Sequence, residues 1–186
     1  MKNGPVCFLC KAKGYLMKNE KEKGRILAYI VMGIYLLLLC WLILFKLADN
    51  INKIPSMRGI NLIPFYYDQL ARTQFHLREV LYNIVVFVPV GFYFTFLGKK
   101  RVVWGIAFSA LLSLCFEILQ WIFALGASDI TDLITNTAGG IIGSGIFFIT
   151  NKLFKGNEVI IVSIIGAIIE ALLLGLLIVL FVSNVK

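Results

Sequence analysis

Histidine is almost missing from this 186-residue chain: His76 is the only one. That leaves no Ser–His–Asp arrangement to support covalent catalysis. Cysteine is scarce, at four. Cys40 and Cys115 sit inside apolar runs, where a thiol packs as a small hydrophobe. Cys7 and Cys10 make a lone C-x-x-C without a partner pair, half of a zinc site at most. Acidic residues number ten against eighteen Lys and Arg, and no compact run of them forms a metal-binding loop. The basic residues are scattered over loops rather than striped on one face, which argues against a nucleic-acid partner. No A-x-A cleavage site follows the first hydrophobic run, so that run is a retained anchor rather than a signal peptide. Internal duplication is missing too, which argues against a repeat-built transporter.

What the chain has in quantity is apolar surface. Hydrophobic residues make up 60% of it and the mean hydropathy is +0.89, where soluble domains run at about 45–50% apolar. Ile26–Phe45 carries no charge over twenty residues, and about 20 residues cross the ~30 Å hydrocarbon layer as a helix. Further spans are expected at Val80–Leu97, Val102–Leu125, Leu133–Ile149 and Val159–Val182. Pro89 interrupts the backbone ladder of the second and should kink it. The fold class is therefore all-α: a polytopic membrane bundle of about five transmembrane helices. Residues 1–25 form a basic tail and 26–186 the membrane domain; Met17 is a second candidate start. Between the first two spans, Asn61 and Pro64 break up INLIPFYY, which is too short to cross and reads as an interfacial or re-entrant outer segment.

Charge gives the orientation. With the N-terminus inside, the cytoplasmic segments hold twelve Lys and Arg and the outer ones six, so the positive-inside rule predicts N-in and C-out. In that frame Asn83, Glu117, Gln120, Asp129, Asp132 and Asn136 all fall in the extracytoplasmic half, with Arg72, His76, Arg78 and Glu79 approaching from the same side. Ser113, Glu117, Gln120 and Ala124 follow helical spacing. So do Asp132, Asn136, Gly139 or Gly140, and Gly143, with Gly139-x-x-x-Gly143 allowing close backbone approach. The third and fourth spans are expected to pack as a hairpin with these stripes facing, and Asn83 to complete a pocket.

An ionisable side chain inside a span is expensive and points to function. Structural alternatives compete with that. Asp129 suits the N-cap of the fourth helix and Asp132 its first turn, while Glu117 and Gln120 suit interhelical hydrogen bonds. Three functional readings stand beside these: recognition of a cationic or hydroxyl-rich lipid headgroup; a divalent cation held by Glu117, Asp129 and Asp132; and acid–base catalysis by Glu117 with Asp132. No organic cofactor is expected. Glu170 stands apart, near the middle of the fifth span, and is expected to dock helices.

NLIPF at 61–65, LYNIVVFVPVGF at 81–92, E-x-x-Q at 117–120 and DITDLITNTAGGIIG at 129–143 together resemble the VanZ-like membrane proteins. The motifs cover Asn61–Gly143, and the core they define reaches about residue 149. The resemblance implies a multi-pass protein of the bacterial cell envelope, with Asn83, Glu117, Gln120, Asp129, Asp132 and Asn136 at the family's characteristic polar positions. The founding member is associated with low-level resistance to the glycopeptide teicoplanin. The resemblance thus supplies a phenotype rather than a reaction. With the outer polar residues it leads to the expectation of a non-enzymatic envelope protein whose outer polar pocket binds a lipid headgroup, a lipid-linked cell-wall precursor or the antibiotic. The alternative is a membrane-embedded enzyme that modifies an envelope substrate.

Overall fold

The computed structural model describes residues 8–45, 57–65, 73–154 and 157–184. Cys7, Arg72, Tyr66 and Tyr67, named above, lie outside them. Five helices and two short strands follow in the order α1 (Phe8–Phe45), β1 (Met57–Asn61), α2 (Thr73–Leu97), α3 (Val102–Ile122), β2 (Leu125–Asp129), α4 (Ile130–Phe154) and α5 (Glu158–Asn184). The chain is essentially all-α, and four helices among the described residues are long and apolar enough to cross a membrane. Large apolar side chains cover the outside: Leu37 is 74% exposed, Val103 71% and Leu172 69%. Water would not tolerate so continuous an apolar surface; lipid is its matching solvent.

The element boundaries depart from the hydropathy pattern at informative places. α1 runs back to Phe8, through the charged residues that precede its apolar run. α2 begins at Thr73 and continues through Pro89. α3 ends at Ile122 rather than Leu125, because the chain turns there: the Phe123 N–H donates to the Leu119 carbonyl at 3.0 Å, and Ala124 takes a left-handed φ of 56°. Leu125–Asp129, apolar at its start, leaves the helix to become a strand. α4 starts at Ile130, earlier than Leu133, because Asp129 caps it.

α2, α3 and α4 form the centre of the bundle. α4 meets α2 along its glycines: a Cβ at Gly139 would strike the Ile84 carbonyl, and one at Gly143 the Val88 carbonyl. Gly139-x-x-x-Gly143 therefore packs on α2, not on α3 as the stripe pattern suggested. Gly140 faces Ser109 of α3. Packing this close brings small hydroxyls together, so Thr95 Oγ1 donates to Ser144 Oγ at 2.8 Å and Ser144 turns back to the Gly140 carbonyl. Edge-on aromatic pairs fill the remaining space, Phe87 with Phe116 and Phe92 with Phe147. α1 and α5 pack together beside this trio, sharing a buried cluster of Ala28, Val31, Phe92, Tyr93, Phe147 and Val159.

One end of the bundle is basic. There Lys99 and Lys100 turn the chain between α2 and α3 with positive φ, and Lys100 Nζ donates to Asn151 Oδ1 at 2.7 Å. The opposite end carries the strands, with Glu117, Asp129 and Asp132.

Candidate functional site

β1 and β2 pair in parallel, with Ile60 beside Ser128 and Asn61 beside Asp129. Strands so short are marginal alone, and here side chains fasten them to the helices. Asn61 Nδ2 donates to Asp129 Oδ2 at 3.0 Å, while Asn61 Oδ1 receives the Ile63 N–H at 3.1 Å. The second oxygen of Asp129 accepts the Thr131 N–H at 2.7 Å, which is an N-cap contact for α4. Asp129 therefore does two jobs, as cap and as clasp to β1.

Glu117 reaches the same turn from α3. Its Oε2 accepts the Asp129 N–H at 2.8 Å, and its carbonyl accepts the Ser128 hydroxyl at 2.7 Å. A carboxylate that accepts a backbone N–H beside a helix N-terminus sits in a favourable field. Thr131 closes the far side: its hydroxyl oxygen accepts the Phe65 N–H at 3.0 Å. The side chain is 2% exposed.

The other polar residues singled out from the sequence form separate pairs. Asn83 Nδ2 donates to Asp132 Oδ1 at 2.7 Å and ties α2 to the first turn of α4. Asn136 Nδ2 donates to Ser113 Oγ at 2.9 Å between α4 and α3, and its Oδ1 is buried without a partner among the described residues. Gln120 turns away from the carboxylates and donates to the Ile43 carbonyl of α1 at 3.1 Å. All six occupy the same end of the bundle, but as four local arrangements rather than one ring around a shared centre. Among the described residues no group of three or more His, Cys, Asp or Glu side chains is placed to hold a metal ion.

A cavity of about 420 Å³ opens beside the Glu117–Asp129 turn. Asn61, Ser128, Glu117 and Asp129 line it, with Ile60 and Leu62 from the β1 side, Leu114, Ile118 and Trp121 from α3, and Ile130 and Leu133 from α4. Leu114, Glu117, Ile118 and Trp121 share one face of α3 by their i, i+3, i+4, i+7 spacing. The surface exposed to the cavity is almost wholly apolar. The carboxylates are turned into the clasp, so the hydrogen bonds of the turn lie behind a greasy wall. Asn83, Gln120, Asp132 and Asn136 are not on that wall.

Three participants carry no sign of their partners in the sequence. Asn61 reads there as a helix breaker and as the first residue of NLIPF, and its partner lies 68 residues away. Ser128 of β2 and Thr131 in the first turn of α4 carry no motif, and are made specific by distant partners, the Glu117 carbonyl and the Phe65 N–H. The legible signal was Asp129 as the N-cap of the fourth helix, a role its Oδ1 fills by accepting the Thr131 N–H.

The sequence model of the family described as VanZ/LLP1 matches residues 32–155. Over 132 residues the chain is 42% identical to "Protein VanZ" of Enterococcus faecium, a match that covers 69% of this chain and 78% of that protein. The likeness thus reaches beyond the motifs, into α1 and to the end of α4. No solved structure matches.

Proposed function

Because the chain belongs to the VanZ/LLP1 family, we propose that it is a non-enzymatic protein of the bacterial cell envelope that binds an envelope lipid, a lipid-linked cell-wall precursor or a glycopeptide, and so contributes to resistance to teicoplanin. The observation that supports this is the cavity of about 420 Å³ at the strand end of the bundle. Its apolar wall suits the hydrocarbon part of such a molecule, and the clasp of Asn61, Ser128, Glu117 and Asp129 holds that wall in place from behind. The same proposal puts the N-terminus in the cytoplasm and the cavity on the outer side, since the basic end belongs in the cytoplasm and a cell-wall antibiotic acts outside.

The test is expression in a teicoplanin-susceptible bacterium, with the protein level in the membrane measured alongside. The wild type should raise the inhibitory concentration of teicoplanin, and Leu133→Trp, which fills the cavity from α4, should abolish the rise at equal expression. Protection that survives the filled cavity would sink the binding role. Mass spectrometry of the envelope lipids separates binding from catalysis. A lipid species made with the wild type but lost in Glu117→Gln or Asp132→Asn would replace this proposal with an enzyme.

A further inference from the structure

A second cavity, of about 310 Å³, lies deeper in the bundle, among α1, α2, α4 and α5. Most of its wall is aliphatic or aromatic, and Glu170 of α5 is the one acidic side chain on it. Glu170 is 7% exposed and stands near the middle of its helix. Among the described residues no group donates a hydrogen bond to its carboxyl. Two phenols share the wall, but both are committed elsewhere. The Tyr35 hydroxyl donates to the Val86 carbonyl, and the Tyr93 hydroxyl donates to Ser163 Oγ at 3.3 Å.

A carboxyl at this depth without a donor is costly, and helix docking, the role expected from the sequence, would have given it a partner. The space it faces has the missing partner's shape. Aliphatic residues offer a slot for a hydrocarbon body, and Tyr35, Phe92 and Tyr93 add aromatic rings to the wall that Glu170 shares. We infer that this cavity binds a lipophilic amine, with its hydrocarbon portion in the apolar slot and its ammonium group against Glu170. An ammonium supplies three N–H donors and the opposite charge, where an alcohol supplies one donor and no charge. The volume is at the small end of the range for small-molecule sites, which limits the ligand to a short chain or a single ring system.

The experiment uses the full chain, purified in a neutral detergent, with octylamine and octan-1-ol as probes of equal chain length. Octylamine should raise the melting temperature in a saturable way, with an apparent affinity about tenfold above that of the alcohol, the size of one charge-assisted contact. Glu170→Gln should lose that tenfold difference while its response to the alcohol stays unchanged. The variant removes a buried carboxyl that has no donor, so its own melting temperature should equal or exceed that of the wild type. Leu38→Trp, which narrows the slot from α1, should weaken the amine response without touching the carboxyl. Equal responses to amine and alcohol, or an amine response that survives Glu170→Gln, would overturn the inference and leave the cavity a gap filled by any hydrocarbon. The 420 Å³ cavity plays no part in these measurements, so their outcome is independent of the teicoplanin assay.

Discussion

At the residue scale the molecule turns on Asp129. One oxygen caps α4 through the Thr131 N–H and the other holds Asn61 of β1, while its own N–H is held by Glu117. These contacts can be separated by substitution. Asp129→Ala loses both cap and clasp and should destabilise the protein by about 2 kcal/mol, given that a lost N-cap alone costs about 0.5–2 kcal/mol. Asp129→Ser keeps a capping oxygen but not the reach to Asn61, and should recover about half of that loss. Thermal unfolding in detergent measures both. Equal melting temperatures for the two variants would mean that the cap contributes nothing, and a serine variant as stable as the wild type would mean that the Asn61 contact contributes nothing. Capping was legible in the sequence, since an acidic residue just before an apolar helical run is a start signal. The clasp was not, because Asn61 carries no local sign of a partner 68 positions on.

At the scale of elements the decisive contact is α4 against α2. The glycine stripe of α4 was plain in the sequence, but a stripe does not say which neighbour it faces. The carbonyls of Ile84 and Val88 answer that question. A backbone carbonyl has little room to retreat, so Gly143→Ala should cost about 1–3 kcal/mol from overpacking or push the two helices apart. Gly145 is the internal control. A Cβ there meets nothing within 4 Å, so Gly145→Ala should be neutral or should stabilise by up to about 1 kcal/mol through helix propensity. Melting temperatures of the pair in one detergent test this. Equal effects would show that the seam is looser than its geometry. The strands belong to the same scale. The sequence assigns Leu125 to the third span and Asp129 to the turn after it, and only β1, arriving from before α2, makes Leu125–Asp129 a strand.

At the scale of the molecule the two ends differ in kind. The turn at 98–101 carries three consecutive basic residues, and the strand end carries Asp129, Asp132 and Glu117. The proposed orientation follows from that polarity and has a direct check in a cysteine-free background. A cysteine at Ile63, 60% exposed beside β1, should react with a membrane-impermeant maleimide on intact cells. One at Lys152, exposed at the basic end of α4, should react only after lysis. The reverse pattern would invert the protein in the membrane and place its larger cavity in the cytoplasm.

Hydropathy is a sum over neighbours along the chain. The helices, their approximate ends and the membrane setting were therefore written in the sequence, as was the likeness to VanZ-like proteins carried by motifs in order. Helix rotation and the pairing of distant segments are not sums of that kind. They depend on which faces meet, and a polar side chain inside a span takes whatever partner that rotation brings. The tertiary structure therefore decided that Gln120 serves α1, that Asn136 serves Ser113 and that Asn83 serves Asp132. It also turned the Glu117–Asp129 pair into the frame of an apolar cavity instead of the lining of a polar one.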